Sequence, residues 1–184
     1  MRLPIDLRIA SGDGARPTSV GLAMCLSVCL LGLAAGCGKE IGDSCVLSTD
    51  CDPNGARVCD LSATDGYCTI MGCDYDTCPS EAECVAFFMG EFDNETCNAA
   101  TEDQPGGTND CNPDEACTLD GHCAPIASEV RYCMRTCTSG GDCRDGYECR
   151  DLNLMKEHGG QPILAPGDTV DDSTPKFCGA APGS

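Results

Sequence analysis

Apolar residues are unevenly spread along this chain. The one long apolar run, Val20 to Gly36 (VGLAMCLSVCLLGLAAG), follows a polar lead with Arg2, Arg8 and Arg16. A basic lead, an apolar stretch and small residues at its end predict an export signal over residues 1–36. The run is shorter than the ~20 residues that span a bilayer comfortably. Beyond it the recurrent apolar position is cysteine, set at short intervals among polar residues. Asn54-Gly55, Asp65-Gly66, Asp120-Gly121 and Asp145-Gly146 mark tight turns between them. This pattern predicts short two-stranded hairpins and turns. A short helix is expected over Pro79–Met89, where Pro79-Ser80-Glu81 makes a helix start. The segment 101–110 (TEDQPGGTND) has no apolar residue and reads as a linker. Gly159–Pro175 reads as a long mobile loop.

The cysteines repeat. Sixteen of them fall into four groups: Cys45, Cys51, Cys59 and Cys68; Cys73, Cys78, Cys84 and Cys97; Cys111, Cys117, Cys123 and Cys133; Cys137, Cys143, Cys149 and Cys178. Each group opens with C-x4-5-C-x5-7-C, and an acidic or Gly-rich turn often precedes a cysteine (STDC, GGDC, DGYC, DGYEC). Such self-similarity predicts tandem modules. A module as short as 45–68 is below the roughly 40 residues at which a core alone suffices, so two bridges per module are expected to hold it. Four cysteines allow three connectivities, which spacing does not separate. First to third with second to fourth is the expected pattern, because it crosses the loops and ties them tightly. With 101–110 as linker, the modules divide into two lobes, 45–100 and 111–178, followed by a tail, 179–184.

Composition sharpens this picture. The chain has 184 residues, 19 cysteines, no tryptophan, four Phe and four Tyr. That reaches the roughly 8–10% cysteine that marks a disulfide scaffold, with little else from which to build a core. The formal net charge is −19, and removing residues 1–36, with three Arg and two Asp, leaves −20. Residues 40–130 hold 20 acids and one base, Arg57. Such a surface disfavours nucleic acid and anionic lipid head groups as partners.

Cys37 closes Leu33-Ala34-Ala35-Gly36-Cys37 and is the odd cysteine left once the sixteen are paired and the signal, with Cys25 and Cys29, is removed. LAAGC resembles the lipobox of bacterial lipoproteins. The resemblance implies that Cys37 is lipidated and becomes the new N-terminus, with 37–44 as its tether. Several acyl chains anchor a protein stably where one holds it only marginally. The repeats resemble small modules of the EGF, EB and Dickkopf N-terminal type. Together, the lipobox and segments such as CVLSTDC (45–51) and CTSGGDCRDGYEC (137–149) resemble Cys-rich lipoproteins of myxobacteria. That likeness implies a palmitate-bearing protein of the cell envelope. Gly38 is not the aspartate that retains some lipoproteins in the inner membrane, so the resemblance points to the outer membrane, on its periplasmic or surface side.

Candidate chemistry is sparse. No C-x-x-C or G-x-S-x-G occurs, and His122 and His158 are the only histidines; this disfavours zinc, redox and serine or cysteine catalysis. No enzyme and no cofactor is expected, with Ca²⁺ the one metal considered. Asp50-x-Asp52-x-Asn54-Gly55 resembles the start of an EF-hand loop, although position 12 is Leu61; turn chemistry accounts for the same residues equally well. For partner binding the candidates are Phe87, Phe88 and Phe92, within AFFMGEF (86–92); the alternative is that they build the lobe's small core. The expected function is a lipid-anchored binding, adhesion or structural protein with an unknown protein or glycan partner. Alternatives are an extracellular protease inhibitor, a Ca²⁺-binding module and, further off, an envelope enzyme.

Overall fold

The computed structural model describes residues 38–90, 92, 95–99, 101 and 111–183. The expected signal (1–36), the expected lipidation position Cys37 and nearly all of the expected linker lie outside the described residues. Within them the chain is a small disulfide-rich fold of short strands with few helices.

The first module comprises helix α1 (Ser48–Cys51) and strands β1 (Val58–Asp60) and β2 (Tyr67–Thr69), which pair antiparallel with Cys59 opposite Cys68. The turn before β2 carries Asp65 and Gly66 at φ 59° and 64°. A Cβ on Gly66 would lie 2.1 Å from the Cys45 carbonyl oxygen, so only glycine fits there. The remaining strands are β3 (Ala82–Phe88), β4 (Glu115–Cys117), β5 (Cys123–Pro125), β6 (Glu129–Cys137), β7 (Tyr147–Arg150), β8 (Gln161–Pro162) and β9 (Lys176–Ala180), with helix α2 (Leu152–His158) between β7 and β8. Five of them form one antiparallel sheet in the order β7-β9-β6-β3-β8, and β4–β5 is a separate hairpin.

The segment expected to be a helix, Pro79–Met89, is strand β3 instead. It pairs along its whole length with β6, from Ala82 opposite Arg135 to Phe88 opposite Glu129. Val85, Phe87 and Phe88 favour a strand, and Pro79-Ser80-Glu81 forms only a turn, in which the Ala82 N–H donates to the Pro79 carbonyl. Gly159–Pro175 is also not a free loop. Its β8 pairs with β3, and the Ile163 N–H donates to the Cys84 carbonyl at 2.8 Å. The expected tether 37–44 is, from Gly38 onward, part of the body. Ile41 is fully buried, the Gly42 N–H donates to the Cys68 carbonyl, and Glu40 pairs with Arg135 at 3.1 Å.

All sixteen cysteines are bridged. Six bridges follow the expected first-to-third, second-to-fourth pattern: Cys45–Cys59, Cys51–Cys68, Cys73–Cys84, Cys111–Cys123, Cys137–Cys149 and Cys143–Cys178. The other two, Cys78–Cys133 and Cys97–Cys117, run between the second and third expected groups. The tandem grouping is therefore corrected. One module consists of Cys73, Cys78, Cys84 and Cys133, and another, Cys97, Cys111, Cys117 and Cys123, is inserted between β3 and β6. With that regrouping every module pairs first to third and second to fourth. The two expected lobes are also one body, because the β3–β6 pairing and Cys78–Cys133 cross the expected boundary.

The main core joins Ile41, Tyr67, Val85, Met134, Met155 and Phe177 to bridge sulfurs of Cys73, Cys84, Cys133 and Cys178. A smaller cluster is made of Cys45, Cys51 and Cys68. Disulfides thus supply much of the buried apolar matter as well as the cross-links. Arg144 lies over the rings of Tyr67 and Tyr147, which stack with centroids 5.3 Å apart. Burial pushes the Tyr67 hydroxyl up to about 12, despite its acceptance of the Arg135 N–H.

The acidic turns before cysteines have a common geometry. In the first module one oxygen of Asp50 accepts the N–H groups of Val46 and Leu47, both at 2.9 Å. In the fourth, one oxygen of Asp142 accepts those of Thr138 and Ser139, at 2.8 and 2.9 Å, and also the Thr138 hydroxyl. The Thr138 hydroxyl is the largest influence holding Asp142 down to about 2, followed by the two backbone donors. A carboxyl depressed in the folded state supports the fold above its unfolded value near 4 and withdraws that support as pH falls through its folded value. NMR titration should therefore show Asp142 protonating near 2, with the Thr138 and Ser139 amides shifting in the same step.

Candidate functional site

The inserted module lies beside the end of β3 and the fourth module, and a cleft of about 390 Å³ opens between them. Each wall has a local cause. Helix α2 starts where the Asp151 carboxylate accepts the N–H groups of Asn153 and Leu154, and Gly159 at φ 80° follows its end. Met155 faces inward and is buried. Gly160 must be glycine, because its φ is 90° and a Cβ would lie 2.5 Å from the Phe177 ring.

Buried Arg150 fastens this wall. Its guanidinium donates to the carbonyls of His158, Gly159 and Ala180 at 2.7, 2.8 and 2.6 Å, and to Glu148 at 3.1 Å. Burial lowers the Arg150 pKa, and Glu148 opposes that shift. The same Glu148 oxygen lies 2.6 Å from His158 Nδ1 and so fixes the ring. The opposite wall is the turn Thr118–His122 of the inserted module. There Thr118 and His122 bond through backbone and hydroxyl, and the Thr118 hydroxyl also meets the Asp120 carboxylate.

The aromatic candidates separate. Phe87, partly buried, packs against the core and meets Phe177 and Tyr132 edge-on at 6.1 and 6.2 Å. Phe88 and Phe92, half-buried, line the cleft. Phe87→Ala is therefore expected to cost about 2–3 kcal/mol, short of the usual range for a fully buried Phe because the ring is only partly buried, whereas Phe88→Ala should lower the melting temperature much less. Thermal unfolding of the two variants side by side checks this.

Asp50 lies in the first turn of α1, where its carboxylate caps the helix start, and Asp52 and Asn54 belong to the turn that follows. Asp52 accepts the N–H groups of Asn54 and Ala56 at 2.8 and 2.9 Å, through different oxygens, and these donors hold it below the usual carboxylate range, Asn54 foremost. Asp50 is held low in the same way by Val46 and Leu47.

Sequence reasoning did not bring His122 and His158 together, yet both line the cleft. They lie in different modules, and no spacing rule links them. Asp120 and Glu157 stand at the cleft too, and no Lys or Arg does among the described residues. Thr118 supplies the lining's one hydroxyl among the described residues, and it is engaged as described above. The arrangement is an acidic, aromatic recess in a rigid frame. No protein-family model matches the chain, and no curated protein or solved structure is significantly similar to it. The cross-links place it in an oxidising, extracytoplasmic compartment. No helix among the described residues is long and apolar enough to cross a membrane.

Proposed function

We propose that this chain is a non-catalytic binding protein of the cell envelope, held at the outer membrane by lipid on Cys37, with the cleft as its binding site. The observation that carries the reading is the convergence of Phe88 and Phe92 on one recess between two disulfide-locked modules. Rigid walls bind with little ordering cost, since the bridges have already removed the freedom that binding would otherwise restrict. The anchoring half of the reading rests on the resemblance of LAAGC to a lipobox and on Cys37 being left over when the other mature cysteines pair. Because the segment after Cys37 is tied to the body through buried Ile41 and Gly42 and the Lys39 carbonyl that accepts from Arg57, a lipid at Cys37 would hold the body close to the bilayer surface rather than on a flexible stalk.

The test is capture of envelope components by the oxidised mature chain, compared with Phe88→Ala and with the reduced protein. Specific capture lost in both controls supports the reading. Capture that survives Phe88→Ala places the binding elsewhere and overturns the assignment of the cleft.

A further inference from the structure

The cleft does not end at Gln161. A second hollow of about 430 Å³ shares Leu119 and Gln161 with it and continues beneath the inserted module. The two halves differ in chemistry. The first offers Asp120 and Glu157 beside Phe88 and Phe92; the second is floored by Pro162, Ile163, Leu164 and Val170. Asp168 also borders the second, and neither half is lined by Lys or Arg among the described residues.

Among the described residues, four buried side-chain atoms lack a hydrogen-bond partner, and two of these, His122 Nδ1 and Gln161 Oε1, belong to residues of this wall. An unpaired buried polar atom is costly. The seam between the inserted and fourth modules is thus a place where the fold's own hydrogen bonding is left incomplete.

We infer that the groove takes an extended peptide segment of a partner protein, with a Lys or Arg side chain in the Asp120–Glu157 half and the following aliphatic residues over Ile163 and Val170. This rests on the binding reading above and names its ligand class. Charge complementarity selects the cation: carboxylates flank the recess, aromatic rings can face a guanidinium, and no Lys or Arg among the described lining residues competes; the neighbour of Glu157 there is His158, whose Nε2 lies 3.7 Å from it. The aliphatic half selects a peptide over a free amine or a sugar, because it offers apolar surface in line with the acidic pocket. Successive residues of an extended chain advance about 3.3 Å, so neighbouring residues can serve the two halves.

The probes are Ac-Gly-Arg-Leu-Val-Gly-NH2, its Glu counterpart Ac-Gly-Glu-Leu-Val-Gly-NH2, and free arginine, titrated into the oxidised mature chain by calorimetry and NMR. The Arg peptide should bind with amide shifts at Leu119, Gln161 and Ile163, and the Glu peptide about tenfold or more weakly, the scale of one charge-assisted contact. Glu157→Lys and, separately, Asp120→Asn should each weaken the Arg peptide about tenfold, with unchanged melting temperature showing that the fold is intact. Equal binding of the two peptides, no binding of either at millimolar concentration, or arginine binding as tightly as the peptide each overturns the inference. If an envelope partner is captured through Phe88 but Glu157→Lys leaves capture unchanged, the ligand class falls while the binding reading stands. If the Arg peptide shifts the groove amides but no partner is captured through Phe88, the envelope role falls and the ligand class stands.

Discussion

Replacing Cys78 and Cys133 together by serine is expected to destabilise the protein more than loss of any other single bridge. Its partners are 55 residues apart, the widest separation in the molecule, and in the chain-entropy model such a closure is worth about 4 kcal/mol, against about 3 for a loop near a dozen residues. The bridge also fixes β6 beside β3 in the centre of the five-stranded sheet, where fully buried Cys133 stands opposite Cys84. A loss of about 4 kcal/mol is a large share of the 5–15 kcal/mol that holds a typical domain. The matched control is Cys111→Ser with Cys123→Ser, which opens a separation of 12 within the inserted module. Guanidinium unfolding midpoints of the two double variants should fall in that order. Equal midpoints would mean that the hinge of the sheet is held by side-chain packing rather than by the bridge. Mass mapping of the wild type should recover Cys78–Cys133 and Cys97–Cys117; recovery of Cys78–Cys97 would undo the nested arrangement.

Cys37→Ser is expected to have the largest effect on location with the smallest on folding. All sixteen cysteines from Cys45 to Cys178 are already paired with one another, so none depends on Cys37. The variant should therefore keep the wild-type unfolding midpoint once exported. Without acyl chains it should move from the membrane to the soluble fraction, or accumulate with its signal uncut, because several buried chains are what makes such an anchor stable. Membrane fractionation with intact-mass measurement reads both outcomes. A variant that stays fully membrane-bound at mature mass would remove the lipid reading.

Much of the architecture was legible in the cysteines. Their number and a division into fours are read from spacing, and the crossed pairing expected inside each four, which spacing alone does not separate from its two alternatives, is the one the structure shows. What spacing could not give is which four belong together. Cys111, Cys117 and Cys123 fit the opening of a module equally well whether Cys97 or Cys133 completes it. The choice is made by the register of β3 against β6, which depends on side chains far apart in the chain. A signal was present in the unusually long gap before Cys97, since that gap and the polar stretch 101–110 both fall at the start of the insertion. The helix expected at Pro79–Met89 failed for the same reason: a start signal is local, whereas a strand between two partners is not. The cleft was half visible. AFFMGEF drew attention to the right segment, but the pleat of β3 sends Phe87 to the core and leaves Phe88 for the recess. His122, Asp120 and Glu157 carried no signal, because insertion of one module into another is what makes them neighbours.

The nested bridges also set an order of events for a chain that is exported N-terminus first. Cys73 and Cys84 can join early, which leaves Cys78 a free thiol when Cys97 arrives. The shorter loop closes more readily, so Cys78–Cys97 is the kinetically favoured product and Cys117–Cys133 its complement, the two pairings of a simple tandem array. Neither exists in the folded protein. To reach the native map, Cys78 must stay reduced until Cys133 emerges, or the early bridge must be attacked by a thiolate and exchanged. Yield in an oxidising compartment should then be limited by disulfide isomerisation rather than by oxidation. A cell that makes this protein in quantity should gain yield from a thiol–disulfide isomerase on the same side of its membrane.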